Sequence, residues 1–119
     1  MFALCGLLGA ADAFGVPMDK LRGSILQGPL YVADASYDCG MPVALLSRIS
    51  ADTMEFCATH LPRFHAYLED TYFFSESGLN CVEEMALGFV QMRHLIRVLL
   101  KRGINIDSFA PRIAFLVNC

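Results

Sequence analysis

Residues 80–117 read NCVEEMALGFVQMRHLIRVLLKRGINIDSFAPRIAFLV, the pattern of a long capped helix followed by a strand. Asn80 can cap a helix through the N–H of Glu83, and Glu83 can reach back to complete a capping box. The helix runs to Arg102, with Gly103 as its C-terminal stop. An acidic first turn (Glu83, Glu84) and a basic last turn (Arg97, Lys101, Arg102) both suit the helix macrodipole. After Pro111, the continuous apolar run Ile113-Ala114-Phe115-Leu116-Val117 is that of a parallel strand covered on both faces.

The same alternation recurs upstream. Phe64 to Phe74 is aromatic-rich with a broken alternation, which predicts a strand whose last residues project polar groups into a site, followed by a loop at Ser75 to Gly78. Pro42 suits the first turn of a helix whose apolar face (Val43, Leu46, Ile49, Met54, Phe56, Cys57, Leu61) continues to the break at Pro62. Gly28 to Pro42 is too dense in turn formers for a long regular element and reads as a sizeable loop. Gly23 to Leu26 reads as a short buried strand, and Pro17 to Leu21 as one short turn. Phe2 to Phe14 is apolar all round and predicts a buried helix stopped by Gly15 and Pro17.

The order is therefore α–β–α–β–α–β, an α/β chain with parallel strands and right-handed crossovers. In such folds the active site lies at the C-terminal ends of the strands. Gln27 to Gly40, Tyr72 to Gly78 and the residues after Val117 would occupy that face. Three strands cannot close a barrel and would leave two hydrophobic edges open, so the unit is expected to assemble or to be a piece of something larger.

Composition agrees. The chain has 119 residues, well below the roughly 250 of a complete eight-stranded α/β barrel. Apolar residues make up 55% and charged residues 18%, an excess that implies surface meant to be covered. No apolar run reaches the roughly 18 residues of a membrane span. The apolar opening lacks the basic start of a signal peptide and reads as a helix.

The 5 cysteines, Cys5, Cys39, Cys57, Cys81 and Cys119, form no C-x-x-C pair. Neither a zinc site nor a disulfide framework is implied, and reduced thiols in a cytoplasmic protein are the simplest reading. A net charge of −3 with no basic stripe argues against nucleic acid. The 6 methionines fit gap fillers in a packed interior.

The segment Gly103-Ile-Asn-Ile-Asp-Ser-Phe-Ala-Pro-Arg-Ile-Ala-Phe resembles the signature "G-x-x-I-D-x-F-A-P-R-L-S-F" of the methylmalonyl-CoA mutase family. Upstream, Gly15-Val16-Pro17, Leu21-Arg22-Gly23-Ser24-Ile25 and His60-Leu61-Pro62-Arg63-Phe64 resemble the family's "Q-G-V", "L-x-G-T-I-Q" and "H-M-P-K-F-N" in the same order. The resemblance spans nearly the whole chain. It implies that residues 1–119 are part of a (β/α)₈ TIM barrel, about three β/α units, which holds an acyl-CoA along its axis. It also implies adenosylcobalamin as cofactor, carried by a domain absent from these residues. The expected partners are acyl-CoA and the rest of the barrel, with the cobalamin domain or a second mutase subunit, in an oligomer; neither nucleic acid nor membrane is expected.

In that family, homolysis of the cobalt–carbon bond gives an adenosyl radical, and the barrel shields the radicals from water. The family's Gly-Tyr-His triplet, in which Tyr aids homolysis and His hydrogen-bonds the thioester carbonyl, stands here as Thr71-Tyr72-Phe73. The resemblance thus implies a catalytic role for Tyr72 and the loss of the histidine donor at Phe73. The glutamine of "T-I-Q" is Leu26, and the arginine that would bind a substrate carboxylate aligns with Ser36. Among acyl-CoA positions, Ser24 replaces a threonine, His65 replaces an asparagine, Arg112 is kept, and a serine has become Ala114. Ser24, His65 and Arg112 are the implied substrate contacts; no metal ligands are implied.

Each has a plainer reading. Tyr72 could be a packed aromatic with a satisfied hydroxyl, His65 a packed ring, and Arg112 a salt-bridge residue. Glu69, Asp70 and Glu76, which flank Tyr72, match no carboxylate dyad and read as a solvated rim. Two functions stay open. One is a segment of an acyl-CoA mutase for an apolar or hydroxylated acyl group. The other is a noncatalytic subunit or degenerate paralogue of a heterodimeric mutase. A self-assembling α/β module without mutase function is a third, weaker reading.

Overall fold

The computed structural model describes residues 2–26 and 42–116. The expected loop over 28–42 falls almost wholly outside the described residues, as do Ser36, Cys39, Val117 and Cys119. The same holds for the side chains of Phe2, Leu26 and Phe73.

The elements are α1 (Phe2–Ala13), β1 (Gly23–Leu26), α2 (Val43–His60), β2 (Phe64–Asp70), a short α3 (Tyr72–Glu76), α4 (Cys81–Lys101) and β3 (Ile113–Leu116). The expected α–β–α–β–α–β order holds, with α3 added. The three strands form one parallel sheet in the order β1-β2-β3. Register pairs Ser24 with His65 across β1 and β2, and Asp70 with Leu116 across β2 and β3. A register shift between Ser24 and Leu26 breaks the first ladder. The expected α/β arrangement with parallel strands is thus present as a three-stranded sheet packed with helices.

Helix α4 starts and stops as its sequence dictates. Asn80 Oδ1 accepts from the N–H of Val82 and of Glu83, each at 3.0 Å, and Glu83 Oε2 accepts from the Asn80 N–H at 3.0 Å. At the other end Gly103 takes φ 79°, a left-handed conformation suited to glycine. There the Ile104 N–H reaches Leu99 O at 3.1 Å and the Gly103 N–H reaches Leu100 O at 3.0 Å, a Schellman closure. Arg102, just past the helix, pairs with Asp52 at 2.7 Å and Glu55 at 2.9 Å on α2, which ties the two long helices together.

The core lies between those helices and the sheet. Ala51, Met54, Cys57 and Leu61 from the α2 side meet Phe64, Ala66 and Tyr67 of β2 and Leu95 and Leu99 of α4, with Phe109 closing one end. Burial pushes the Cys57 thiol up to about 11, so it packs as a small apolar residue and is not a nucleophile at neutral pH.

Besides β1 and β3, expected as covered strands but leaving Ser24, Phe115 and Leu116 exposed in these residues, three expectations are corrected. The strand predicted to run to Phe74 ends at Asp70, and Ser75 and Glu76 belong to α3 instead of a loop. The cause is local: an Asp70 carboxylate oxygen accepts from the Tyr72 N–H at 3.1 Å, and the Phe74 N–H reaches Thr71 O at 3.0 Å. A short polar side chain that bonds the backbone two residues on competes with the ladder and wins at its end. Second, α1 is not a buried helix in this chain: of its described side chains only Leu4 and Ala11 are buried, while Phe14 just beyond it is 84% exposed. An all-round apolar pattern marks a helix as coverable and leaves open which faces these 119 residues cover. Third, Glu69 and Asp70 are not a solvated rim, being 1% and 6% exposed.

Candidate functional site

The polar residues singled out in the sequence fall at opposite ends of the sheet. Ser24, His65 and Arg112 stand where β1, β2 and β3 begin, and Tyr72 stands just past the end of β2. A strand rises about 3.3 Å per residue, so the 7 residues of β2 separate the two groups by roughly 20 Å.

At the first end, Arg22, Gly23, Ser24, Arg63 and His65 line an open groove of about 650 Å³. Ser24 and His65 are register partners on adjacent parallel strands, which brings a hydroxyl and an imidazole together between two arginines. His65 Nδ1 lies 3.1 Å from the carbonyl oxygen of Arg112. A carbonyl only accepts, so Nδ1 carries the proton and Nε2 is the ring's remaining polar edge.

The Arg112 guanidinium faces the protein. It donates to Cys57 O at 3.1 Å and Leu61 O at 2.8 Å, carbonyls at the C-terminal end of α2, and also to Ser108 O. Cationic donors at a helix C-terminus satisfy orphan carbonyls and complement the dipole. Arg112 thus fixes the entry to β3 and, through its own carbonyl, the ring of His65.

At the second end, Tyr72 opens α3. Its N–H is held by Asp70, and its hydroxyl donates to the carboxylate of Glu76 one turn on. Glu76, as acceptor and as negative charge, pushes the Tyr72 phenol up. The hydroxyl is therefore neutral at physiological pH.

Between the two ends lies a cluster that the sequence reading missed. Tyr67 OH donates to Glu69, and Gln91 Nε2 donates to the other Glu69 oxygen at 2.8 Å. Burial pushes the Glu69 carboxyl up to about 7, against the two hydrogen bonds that hold it down. Burial, and then the negative charge and hydrogen bond of Glu69, push Tyr67 up as well. Beside them Thr71 Oγ1 donates to Glu84 at 2.7 Å. Glycine at 88 lets α4 come this close: a Cβ there would lie 2.8 Å from Thr71 Cγ2. Glu69, Thr71, Glu84 and Gly88 border a cavity of about 340 Å³ that opens between α4 and the end of β3, where Phe89 and Phe115 form its apolar wall. The available signal was the polar pair Tyr67 and Glu69 at strand spacing, on one face of β2.

Among the described residues no group of three or more His, Cys, Asp and Glu could hold a metal ion. No helix among them is long and apolar enough to cross a membrane.

A parallel sheet backed by two long helices, with polar groups gathered at both ends of its strands, defines an α/β protein. The family model described as methylmalonyl-CoA mutase matches residues 1–119. The chain belongs to the methylmalonyl-CoA mutase family. It is 34% identical over 108 residues to the methylmalonyl-CoA mutase of Escherichia coli K12, covering 89% of this chain and 15% of that protein. The Rhizobium meliloti methylmalonyl-CoA mutase is 31% identical over 112 residues, with 94% and 16% covered. The human mitochondrial enzyme is 30% identical over 112 residues, with 94% and 15% covered. The chain thus spans less than one-fifth of the length of these relatives, as the 15% and 16% coverages show.

Proposed function

We propose that residues 1–119 form part of the acyl-CoA-binding (β/α)₈ barrel of an adenosylcobalamin-dependent acyl-CoA mutase, about three β/α units of it. The observation that carries this reading is the family match over the whole chain combined with the polar groups at both ends of one parallel sheet. A long, thin ligand laid along the strands would meet both.

In this reading Ser24 and His65 bind the acyl-CoA where the strands begin, His65 through the ring edge that Arg112 orients. Arg112 is retained among the acyl-CoA residues, but as a positioning residue whose guanidinium holds β3 against α2. Arg22 and Arg63, beside Ser24 and His65, suit the phosphates of a CoA. Tyr72 is the catalytic residue at the far end, a neutral hydroxyl donor held by Glu76. The buried network on the helix side keeps water from the back of β2.

In this reading, as the family resemblance implies, adenosylcobalamin is held by a domain outside these residues. When bound, it supplies the radical by homolysis; what this segment contributes is substrate binding, orientation and shielding. The specific feature that favours a second reading is Phe73 in the third place of Thr71-Tyr72-Phe73, which cannot donate to a thioester carbonyl. A noncatalytic subunit paired with an intact mutase chain would tolerate that residue.

Isothermal titration of the full-length protein with a CoA thioester, and a turnover assay of the same protein supplied with adenosylcobalamin, test the proposal. Saturable binding that weakens at least about tenfold in His65→Ala, together with isomerisation that Tyr72→Phe slows without changing binding, is the expected result. Binding without turnover, with a second mutase chain co-purifying, would move the assignment to the noncatalytic subunit. No binding of any acyl-CoA would overturn both.

A further inference from the structure

The chain leaves the centre strand through Thr71, and α4 holds that residue from the side. Thr71 Oγ1 donates to Glu84 Oε1 at 2.7 Å. Gly88 stands one turn further along the same face of α4, and a Cβ there would lie 2.8 Å from Thr71 Cγ2. Helix α4 thus meets Thr71 twice, through a hydrogen bond and through a glycine that allows the close approach.

Tyr72 follows directly. Its N–H is bonded back to Asp70 at 3.1 Å, and the Thr71 carbonyl accepts the Phe74 N–H at 3.0 Å as α3 begins. These bonds shape the turn locally. Helix α3 has only 5 residues, too few to hold a direction of its own without tertiary support. The Thr71–Glu84 bond spans 13 residues in sequence and joins the start of α3 to a helix of 21 residues. The glycine that the resembled family has in place of Thr71 carries no hydroxyl, so this tie belongs to the present chain.

We propose that Thr71 and Glu84 are positioning residues for Tyr72: their hydrogen bond fixes the start of α3 against α4 and so sets where the Tyr72 hydroxyl meets a substrate. The inference rests on the reading of Tyr72 as the catalytic residue and adds two residues that act through it. A misplacement of about 1 Å can cost on the order of a hundredfold in rate. Binding of the CoA portion, at the other end of the sheet, is left as it was.

The test is steady-state turnover of the full-length protein supplied with adenosylcobalamin, joined to hydrogen exchange of the same protein without it. Thr71→Val removes the donor and keeps the shape. It should lower kcat by about tenfold to a hundredfold and change KM by less than about twofold. Glu84→Ala breaks the same bond from the other side and should match it, so the result does not depend on how one variant folds. Thr71→Ser and Glu84→Gln keep a donor and an acceptor and should stay within about threefold of the unaltered kcat. Without cofactor, amides from Tyr72 to Glu76 should exchange faster in Thr71→Val and not in Thr71→Ser. The decisive comparison adds Thr71→Val to Tyr72→Phe: with the phenol hydroxyl gone, kcat should fall no further. A full additional fall would show a merely structural role and overturn the inference, as would an unchanged kcat or unchanged exchange in Thr71→Val. Those outcomes leave the Tyr72 assignment standing. No turnover by the unaltered protein, or turnover that Tyr72→Phe does not slow, would overturn that assignment and the inference with it.

Discussion

Glu69 is the residue whose chemistry departs furthest from its free amino acid. Its carboxyl, raised to about 7, binds a proton more tightly in the folded chain than in the unfolded one. Stability from this group is therefore fully present below the unfolded value, near pH 4.3, and declines as pH rises through about 7. The total is on the order of 3 kcal/mol. Groups near the carboxyl include Tyr67 and Asp70 on β2 and, across the cavity, Glu84 and Cys81 on α4; none brings a positive charge. Urea midpoints measured from pH 5 to pH 8 should fall with pH, and Glu69→Gln should flatten that slope whatever it does to the absolute midpoint. A slope unchanged in Glu69→Gln would show that the proton sits elsewhere. Arg112 makes the second prediction at this scale. Arg112→Ala removes a cation from three carbonyls and should cost about 2–3 kcal/mol in denaturant unfolding. Arg112→Lys should recover only part, because a point charge cannot fork between carbonyls.

At the scale of elements, α4 is held by its caps and by one close approach. Asn80→Ala leaves the Val82 and Glu83 N–H groups without their acceptor and should lower stability by about 1 kcal/mol, read as a shifted denaturant midpoint. Gly88→Ala is the sharper case. In a free helix, alanine would gain about 1 kcal/mol over glycine. Here the new Cβ meets Thr71 Cγ2 at 2.8 Å, and that methyl is fixed by the Thr71 bond to Glu84. Overpacking of this kind costs about 1–3 kcal/mol, so Gly88→Ala should destabilise. Adding Thr71→Ser removes the methyl and keeps the hydroxyl, and should restore stability; a double variant as weak as Gly88→Ala would locate the strain elsewhere.

These elements also mark what was legible in the sequence. The capping box at Asn80, the stop at Gly103 and the strand after Pro111 were readable because each depends on residues within a turn of one another. The end of β2 was not, since Tyr72, Phe73 and Phe74 favour strands and the Asp70 hydrogen bond that redirects them is a matter of geometry. Nor was the burial of Glu69, whose acceptor need is met by Gln91, 22 residues away in sequence. Ser24 and His65 were nominated separately, and their meeting depends on strand register.

In the molecule as a whole, apolar side chains remain uncovered. Phe14 near α1, Met85 and Phe89 on α4, and Phe115 and Leu116 on β3 are all exposed, and β3 ends the sheet. Surfaces of this kind suit a sheet that continues into further β/α units, as the proposed barrel requires. In the proposed barrel, one end of this sheet holds the CoA portion of a substrate and the other end its acyl group. Hydrogen exchange of the full-length protein, compared with free CoA and with a saturating acyl-CoA, tests this arrangement most directly. Free CoA should protect amides around Arg22 to Ile25 and Arg63 to His65, while the acyl-CoA should add protection from Asp70 to Glu76. Equal protection by both ligands, or protection confined to neither end, would contradict the claim.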